Sequence, residues 1–272
     1  MTPHTLFDLS GKHAVVTGGA TGIGRMAAQG FAAAGADVTI ASRKIEACEQ
    51  AADDINALGY TGKVVAKHAD LSSDIGIEAF AQDILASDAG IDILMNNAGR
   101  TWGADLGQFP YAAWAKVMDL NVAAMFHLTQ ALLPALRAGA AIHDPARVVN
   151  VGSVMGEVPM GDGAYSYAVS KAGVHHMTKI LAKELAQDRI TVNALAPGPF
   201  QSGMTKFAIG QEEGVARVNE RVPLGRIGRH SDIAACVQFL CGAGGSYITG
   251  AIVPVSGGIN IATGPSIFGE DT

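Results

Sequence analysis

Tyr167 and Lys171 stand four residues apart in Tyr167-Ala168-Val169-Ser170-Lys171, within a stretch whose periodic apolar pattern predicts a helix over residues 164–187. At that spacing the phenol and the ammonium share one helix face. A neighbouring cation stabilises phenolate and lowers a pKa that begins near 10; a fall of about three units takes roughly 4 kcal/mol. A phenol tuned in this way serves as a general acid near neutral pH. Tyr165 has no such neighbour, because Val169 lies four residues beyond it. Tyr and Lys meet at this spacing on many exposed helices, so the meaning of the pair depends on its surroundings.

A second element of chemistry lies near the N-terminus. The run His13–Thr17 reads as a strand and passes into Thr17-Gly18-Gly19-Ala20-Thr21-Gly22-Ile23-Gly24, after which a helix begins at once. Glycines at 18, 22 and 24 allow a tight turn and let a pyrophosphate approach the N–H groups of a helix N-terminus, where the dipole favours negative charge. A strand before the turn and a helix after it favour a dinucleotide site over an ordinary loop. Folds of this kind that prefer NAD carry an acid about 20 residues further on, to hold the ribose 2′-hydroxyl. Here the second strand ends in Ala41-Ser42-Arg43-Lys44, with no acid. A hydroxyl followed by a guanidinium suits a 2′-phosphate, which Arg binds by charge-assisted pairs. The alternative, a solvated helix start, sets two cations against the helix dipole.

These groups need a scaffold, and the sequence supplies its pattern. Seven short β-branched runs, at 13–17, 37–41, 63–68, 91–96, 147–153, 190–196 and 252–255, alternate with longer Ala-rich stretches at 22–34, 44–58, 74–87, 110–137, 164–187 and 231–241. Strand, crossover helix and parallel strand repeat throughout, which predicts an α/β, Rossmann-type, doubly wound, seven-stranded parallel sheet in a single domain spanning 1–272. Residues 139–145 and 197–230 are less regular, and the second segment is long enough to form a substrate loop or lid.

Composition agrees with a large packed core. Of the 272 residues, 49% are hydrophobic and only 16% charged. The formal charge of −6, without a Lys/Arg-rich run, argues against a nucleic-acid partner. Three cysteines, Cys48, Cys236 and Cys241, fit neither a CxxC pair nor a zinc site, and point to a reducing cytoplasm. His175 and His176 are adjacent and point in different directions on a helix, so no metal site is expected. Residues 1–11 lack the features of a signal peptide, and no apolar run of about 18 residues exists to span a bilayer.

Further motifs fall at the ends of the expected strands: Asp70-Leu71 after the third, Asn96-Asn97-Ala98-Gly99 at the fourth, Ser153 at the fifth, Pro197-Gly198 after the sixth and Ser256-Gly257-Gly258 after the seventh. Asn121 lies inside a predicted helix. In order and spacing, this set and the Tyr167-Lys171 pair strongly resemble the short-chain dehydrogenase/reductase family over nearly the whole chain. The resemblance implies an NADP(H)-dependent oxidoreductase with Asn121, Ser153, Tyr167 and Lys171 as the catalytic tetrad. Ser153 would orient a substrate carbonyl and share the charge of the oxyanion, Tyr167 would give the proton, and Lys171 would lower the phenol pKa and hold the nicotinamide ribose. Asn121 would position a water linking Lys171 to a proton relay. The cofactor would be held by Gly18, Thr21, Gly22, Ile23, Gly24, Ser42, Arg43, Asp70, Leu71, Asn97, Ala98 and Gly99, by Tyr167 and Lys171, and by Pro197, Gly198, Phe200 and Ser202. The usual Thr after the Pro-Gly turn is missing; Ser202 holds that spacing, with Thr205 three residues on. Thr21 occupies a position where many NADP-dependent relatives carry a basic residue.

Within the family, Gly99-Arg100-Thr101-Trp102-Gly103-Ala104 and Met204-Thr205 resemble bacterial 3-oxoacyl thioester reductases, of the rhamnolipid-pathway type in particular. That resemblance implies a small-molecule carbonyl substrate, carried on acyl carrier protein or coenzyme A, and reduction of a ketone to a secondary alcohol. Met155, Val158, Met160, Phe200, Met204, Phe207 and Trp102 could wall an apolar slot, and Lys206, Arg217, Arg221, Arg226 and Arg229 outnumber the acids of 201–230, a basic rim suited to an anionic carrier. The same machinery serves sugar, polyol or steroid-like carbonyls. A non-catalytic dinucleotide sensor would have no need of the tuned phenol, and S-adenosylmethionine-dependent transfer would leave the Tyr-Lys pair unexplained. The long helices at 110–137 and 164–187 pack as subunit interfaces in this family, which implies a homotetramer, with a dimer as the alternative.

Overall fold

The computed structural model describes residues 3–86, 90–160 and 163–262. Seven strands, β1 (His13–Thr17), β2 (Asp37–Ser42), β3 (Val64–His68), β4 (Ile93–Asn96), β5 (Ala146–Val151), β6 (Ile190–Pro197) and β7 (Ile252–Val255), form one sheet in the order β3-β2-β1-β4-β5-β6-β7. Every neighbouring pair is parallel. The chain therefore winds from β1 outward through β2 and β3, returns to β4, and winds the other way. The carboxyl ends of β1 and β4 face each other at the point of reversal, where such sheets bind ligands.

The helices are α1 (Pro3–Phe7), α2 (Gly22–Ala33), α3 (Ile45–Asn56), α4 (Asp74–Leu85), α5 (Tyr111–Met118), α6 (Ala124–Ala131), α7 (Leu133–Gly139), α8 (Tyr165–Leu185), α9 (Lys206–Ile209), α10 (Glu212–Asn219) and α11 (His230–Cys241). Strand side chains alternate between two cores. Ala14, Val16, Val38, Ile40 and Leu195 pack with Phe31 of α2, Ile55 of α3 and Val237 of α11 on one face. Val15, Leu94, Val148 and Val192 meet Phe80 of α4, Leu128 of α6 and Leu181 of α8 on the other. Burial on both faces is what the near-continuous Val/Ile/Leu strands require.

The helix expected over 110–137 is broken twice. A π turn occupies Asp119–Ala123, and the helix stops again at Leu132 before resuming at Leu133, with Pro134 in its first turn. Proline cannot donate to the carbonyl four residues back, and it disfavours helical backbone at the residue before it. The irregular segment 197–230 contains two short helices, α9 and α10. The expected helix end at Ser87 lies outside the described residues. Among the described residues, no helix is long and apolar enough to cross a membrane.

Candidate active site

The ends of β1, β4, β5 and β6 open onto a cleft of about 300 Å³, walled by residues from the glycine turn, from the 97–99 and 151–153 segments, from α8 and from the start of the 197–230 segment. On the β1 side, Gly18 and Gly22 take φ of +64° and +55°, backbone that L side chains rarely adopt. A Cβ on Gly22 would stand 2.9 Å from the Ser202 side chain across the cleft. Gly24 permits a different contact: a Cβ there would collide with the Asn97 amide and the Gly18 carbonyl. Asn97 fastens the turn by donating from Nδ2 to the carbonyls of Thr17 and Gly18, at 2.9 and 3.0 Å. Thr17 Oγ1 in turn accepts from the N–H groups of Asn97 and Ala98, both at 3.0 Å. Thr21 is the N-cap of α2, yet its side chain makes no cap hydrogen bond. The leading N–H donors of that helix are therefore without a side-chain cap where Gly18, Thr21, Gly22 and Ile23 line the cleft.

Ser42, Arg43, Asp70 and Leu71 stand beyond that wall, at the adjoining ends of β2 and β3. Arg43 is exposed. Its charge and, more strongly, hydrogen bonds from the Ser72 side chain and backbone hold the Asp70 carboxyl below its usual range. Asp70 does not cap α4; Ser73 does, accepting from the Gly76 N–H at 3.2 Å. Leu71 buries its side chain in the second core, so its contribution to any ligand is limited to main-chain atoms.

On the far side, α8 presents Tyr167 and Lys171 toward Ser153 at the exit of β5, and all three line the cleft. Ser153 begins a short 3₁₀ turn (Val154–Gly156), its Oγ accepting from the Met155 N–H at 3.2 Å. Lys171 is only 3% exposed; Nζ donates to the Val151 carbonyl at 2.7 Å, and burial pushes its pKa down to about 8. Burial also raises the Tyr167 phenol above its ordinary value, and the hydrogen bond with the Ser153 side chain opposes that rise. The acidifying partner of the phenol here is thus the serine; the ammonium, 5.6 Å from the ring centre, is committed to the strand end.

Asn121 does not reach the cleft wall. It is fully buried in the π turn, where Oδ1 accepts from the Arg100 N–H at 2.8 Å and Nδ2 donates to the Arg100 carbonyl and to Ser170 Oγ, both at 2.9 Å. Ser170 Oγ donates to the Tyr167 carbonyl at 2.7 Å. The Asn121 amide is therefore spent on positioning, and its side chain has no donor left for a water. At the end of β6, Pro197 and the following Gly198 line the cleft, and the Phe200 ring packs on Gly228. Thr205 Oγ1 donates to the Phe200 carbonyl at 2.6 Å and accepts from the Ser202 N–H at 3.0 Å, while Ser202 stands opposite Gly22.

The glycine turn on one side and Ser153, Tyr167 and Lys171 on the other thus line one cleft. The family profile described as Enoyl-(Acyl carrier protein) reductase matches residues 18–260. The chain belongs to the short-chain dehydrogenase/reductase family. One relative, the rhamnolipids biosynthesis 3-oxoacyl-[acyl-carrier-protein] reductase of Pseudomonas aeruginosa, is 45% identical over 95% of this chain and 100% of its own length. Galactitol 2-dehydrogenase (L-tagatose-forming) of Cereibacter sphaeroides is 36% identical over 96% of this chain and 100% of its own. Among solved structures, the Pseudomonas aeruginosa RhlG/NADP active-site complex superposes with a TM-score of 0.90 at 44% identity, covering 94% of this chain and 99% of that one.

As a member of the short-chain dehydrogenase/reductase family, the chain departs most from its sequence-based expectations on the substrate side of the cleft. Of the seven residues read as an apolar slot, Phe200 and Met204 line the cleft, whereas Met155, Val158, Met160 and Trp102 stand outside its wall and the Phe207 side chain lies outside the described residues. Arg226 pairs with Asp232 through its two terminal guanidinium nitrogens, at 2.6 and 3.0 Å, which removes it from the basic rim. Two features went unread: the Val151 carbonyl that holds Lys171, and His175, whose Nε2 lies 3.4 Å from the Ser153 backbone nitrogen. The His175 contact spans 22 residues, and only the pairing of α8 with β5 reveals it.

Proposed function

We propose that this chain is an NADP(H)-dependent carbonyl reductase acting on 3-oxoacyl thioesters. The observation that carries the reading is the continuous cleft, which joins positive-φ glycines at a helix N-terminus to Ser153, Tyr167 and Lys171. Gly18, Thr21, Gly22 and Ile23 fit a pyrophosphate, since they line the cleft at the N-terminus of α2, which has no side-chain cap, and Gly24 lets the Asn97 amide and the Gly18 carbonyl pack behind the turn. Ser42 and Arg43 would take the 2′-phosphate, Asp70 and the Leu71 main chain the adenine, Asn97, Ala98 and Gly99 the adenosine ribose and nicotinamide side, and Pro197, Gly198, Phe200 and Ser202 the nicotinamide. When bound, the cofactor supplies hydride.

The protein's own groups handle the charge and the proton. Ser153 Oγ donates to the carbonyl oxygen and stabilises the negative charge that develops there. Tyr167 delivers its proton to the same oxygen. Lys171, fixed by Val151, holds a positive charge behind the phenol and would hold the nicotinamide ribose of a bound cofactor. Asn121 holds the Arg100 backbone and, through Ser170, the helical turn that carries Tyr167. The 197–230 segment forms the lid over the substrate.

The thioester assignment rests on the Pseudomonas relative, named a 3-oxoacyl-[acyl-carrier-protein] reductase, and on Phe200 and Met204 in the cleft wall. An acyl-carrier-protein or coenzyme A thioester in a reducing cytoplasm is the natural substrate. Exposed Tyr111, Phe126, Val169 and Ile180 on α5, α6 and α8 give the apolar faces for a homotetramer. The test is NADPH oxidation across 3-oxoacyl thioesters of rising length beside keto-sugars. Each buried methylene adds up to about 0.8 kcal/mol, or roughly fourfold in kcat/KM, until the slot fills. A flat dependence, or better turnover of a keto-sugar, overturns the acyl assignment in favour of chemistry like that in the name of the galactitol relative.

A further inference from the structure

The ladder between β5 and β6 ends with the Gly152 N–H donating to the Leu195 carbonyl at 2.8 Å. The next donor along the chain, the Ser153 N–H, turns to a side chain instead: His175 Nε2, at 3.4 Å. The imidazole comes from α8, one helical turn beyond Lys171, and is only 6% exposed. It lies so close over Gly152 that a Cβ there would overlap Nε2. On its other edge, Nδ1 lies 3.6 Å from Glu157 Oε1, which belongs to the turn following Ser153. The ring is therefore wedged between the residue before the serine and the turn after it.

We propose that His175 is a positioning residue for Ser153: as the neutral Nδ1–H tautomer, it holds the Ser153 backbone and so sets where the serine hydroxyl meets the substrate oxygen. The role rests on the reductase reading; the hydrogen bond does not. An acceptor at Nε2 must lack a proton, so the proton of the neutral ring sits on Nδ1, facing the Glu157 carboxylate. The charged groups facing the ring are Glu157 from the turn after β5 and Lys171 and Lys179 from its own helix. Burial, followed by the two lysines, pushes the ring pKa down to about 4, so it is neutral across the working range. Protonation would set an Nε2–H against the Ser153 N–H, donor against donor, and displace the serine from the Tyr167 phenol.

Two variants separate positioning from bulk. His175→Leu fills the space without an acceptor; His175→Gln carries an amide oxygen on a stem that reaches the Nε2 position. A misplaced catalytic group costs up to about a hundredfold, so His175→Leu is expected to lower kcat about ten- to a hundredfold with KM for NADPH within about twofold of wild type. His175→Gln should stay within about threefold of wild type. In a Ser153→Ala background, where no hydroxyl remains to be aimed, His175→Leu should cost less than about twofold more. Equal losses for Leu and Gln, a comparable rise in the NADPH KM, or an undiminished effect in the Ser153→Ala background would overturn the role.

An NMR measurement on ¹⁵N-histidine-labelled full-length protein needs no turnover. The His175 ring should show a bare Nε2 and a protonated Nδ1, titrating near pH 4. An Nε2–H tautomer, or titration near the ordinary histidine value, overturns the proposal even in an active enzyme. The expected tautomer in a protein for which no ketone supports NADPH oxidation would instead sink the reductase reading and leave only the hydrogen bond standing.

Discussion

Lys171 Nζ is moored to the Val151 carbonyl at 2.7 Å, not to the Tyr167 oxygen. The ammonium is held in place by the strand end and desolvated there, with a pKa pushed down to about 8. Its charge is therefore lost within an accessible range. A plot of kcat/KM against pH should fall above about 8, while the Tyr167 phenol, held above its ordinary value by burial, does not titrate until higher pH. Lys171→Arg should move that limb upward by more than one unit, because guanidinium stays protonated. A limb left in place would detach it from Lys171.

The same shift carries a stability cost. The folded pKa of Lys171, about 8, lies below its ordinary 10.5, so between those values the unfolded chain binds more protons and stability rises with pH. At neutral pH the full penalty is present, about 3 kcal/mol, partly offset by the hydrogen bond to Val151. Lys171→Met should raise Tm at pH 7 by ~2–4 °C, corresponding to a net gain of about 1 kcal/mol, while abolishing turnover. Calorimetry at pH 7 and 10 checks the sign, since the gain should shrink at the higher pH.

Tyr167→Phe keeps the ring and deletes the proton donor. Turnover should fall at least about a hundredfold, the scale of a general acid, with NADPH binding by fluorescence titration preserved. Near-normal turnover would remove Tyr167 from the mechanism.

Arg43 is exposed and its charge bears on Asp70 at the β2–β3 edge. Arg43→Ala should weaken NADPH about ten- to a hundredfold, the equivalent of one charge-assisted contact of roughly 1.5–3 kcal/mol, and leave NADH unchanged. Equal losses for both cofactors would show that Arg43 does not read the 2′-phosphate.

Gly22→Ala would place a methyl 2.9 Å from the Ser202 side chain on backbone with φ of +55°. The conformation alone costs about 1–2 kcal/mol. The methyl also enters the proposed pyrophosphate path, so KM for NADPH should rise at least about tenfold with a smaller change in kcat. Steady-state kinetics at saturating ketone would show the split.

How far the sequence could be read depended on the range of the interactions involved. β1 and β7 were legible to the residue, because their apolar runs are bounded by turn residues. The helix over 110–137 was read as continuous because its apolar period runs through the breaks, although Pro134 signalled the second one. α10 was missed inside a segment treated as irregular, despite Glu212 and Glu213 in its first turn and Arg217 in its last, the charge order that a helix dipole favours. Gly18, Gly22, Ser153, Tyr167 and Lys171, each singled out by a local motif, line one cleft. What the sequence did not disclose were partners across space: the Val151 carbonyl under Lys171, the His175 ring behind Ser153, and the Arg100 backbone that occupies Asn121.

The π turn at Asp119–Ala123 sets a condition that no substitution can test. A π turn holds one residue more than the α turn it replaces, and each residue of helix is worth about 100° of rotation. The position of Asn121 therefore depends on the number of residues in the turn as well as on the identity of its side chain. Deleting one residue between 119 and 123 would restore a regular helix and swing Asn121 away from Arg100 and Ser170, although every hydrogen-bonding group of the site would still be encoded. The turn of this chain is thus constrained in length before it is constrained in type.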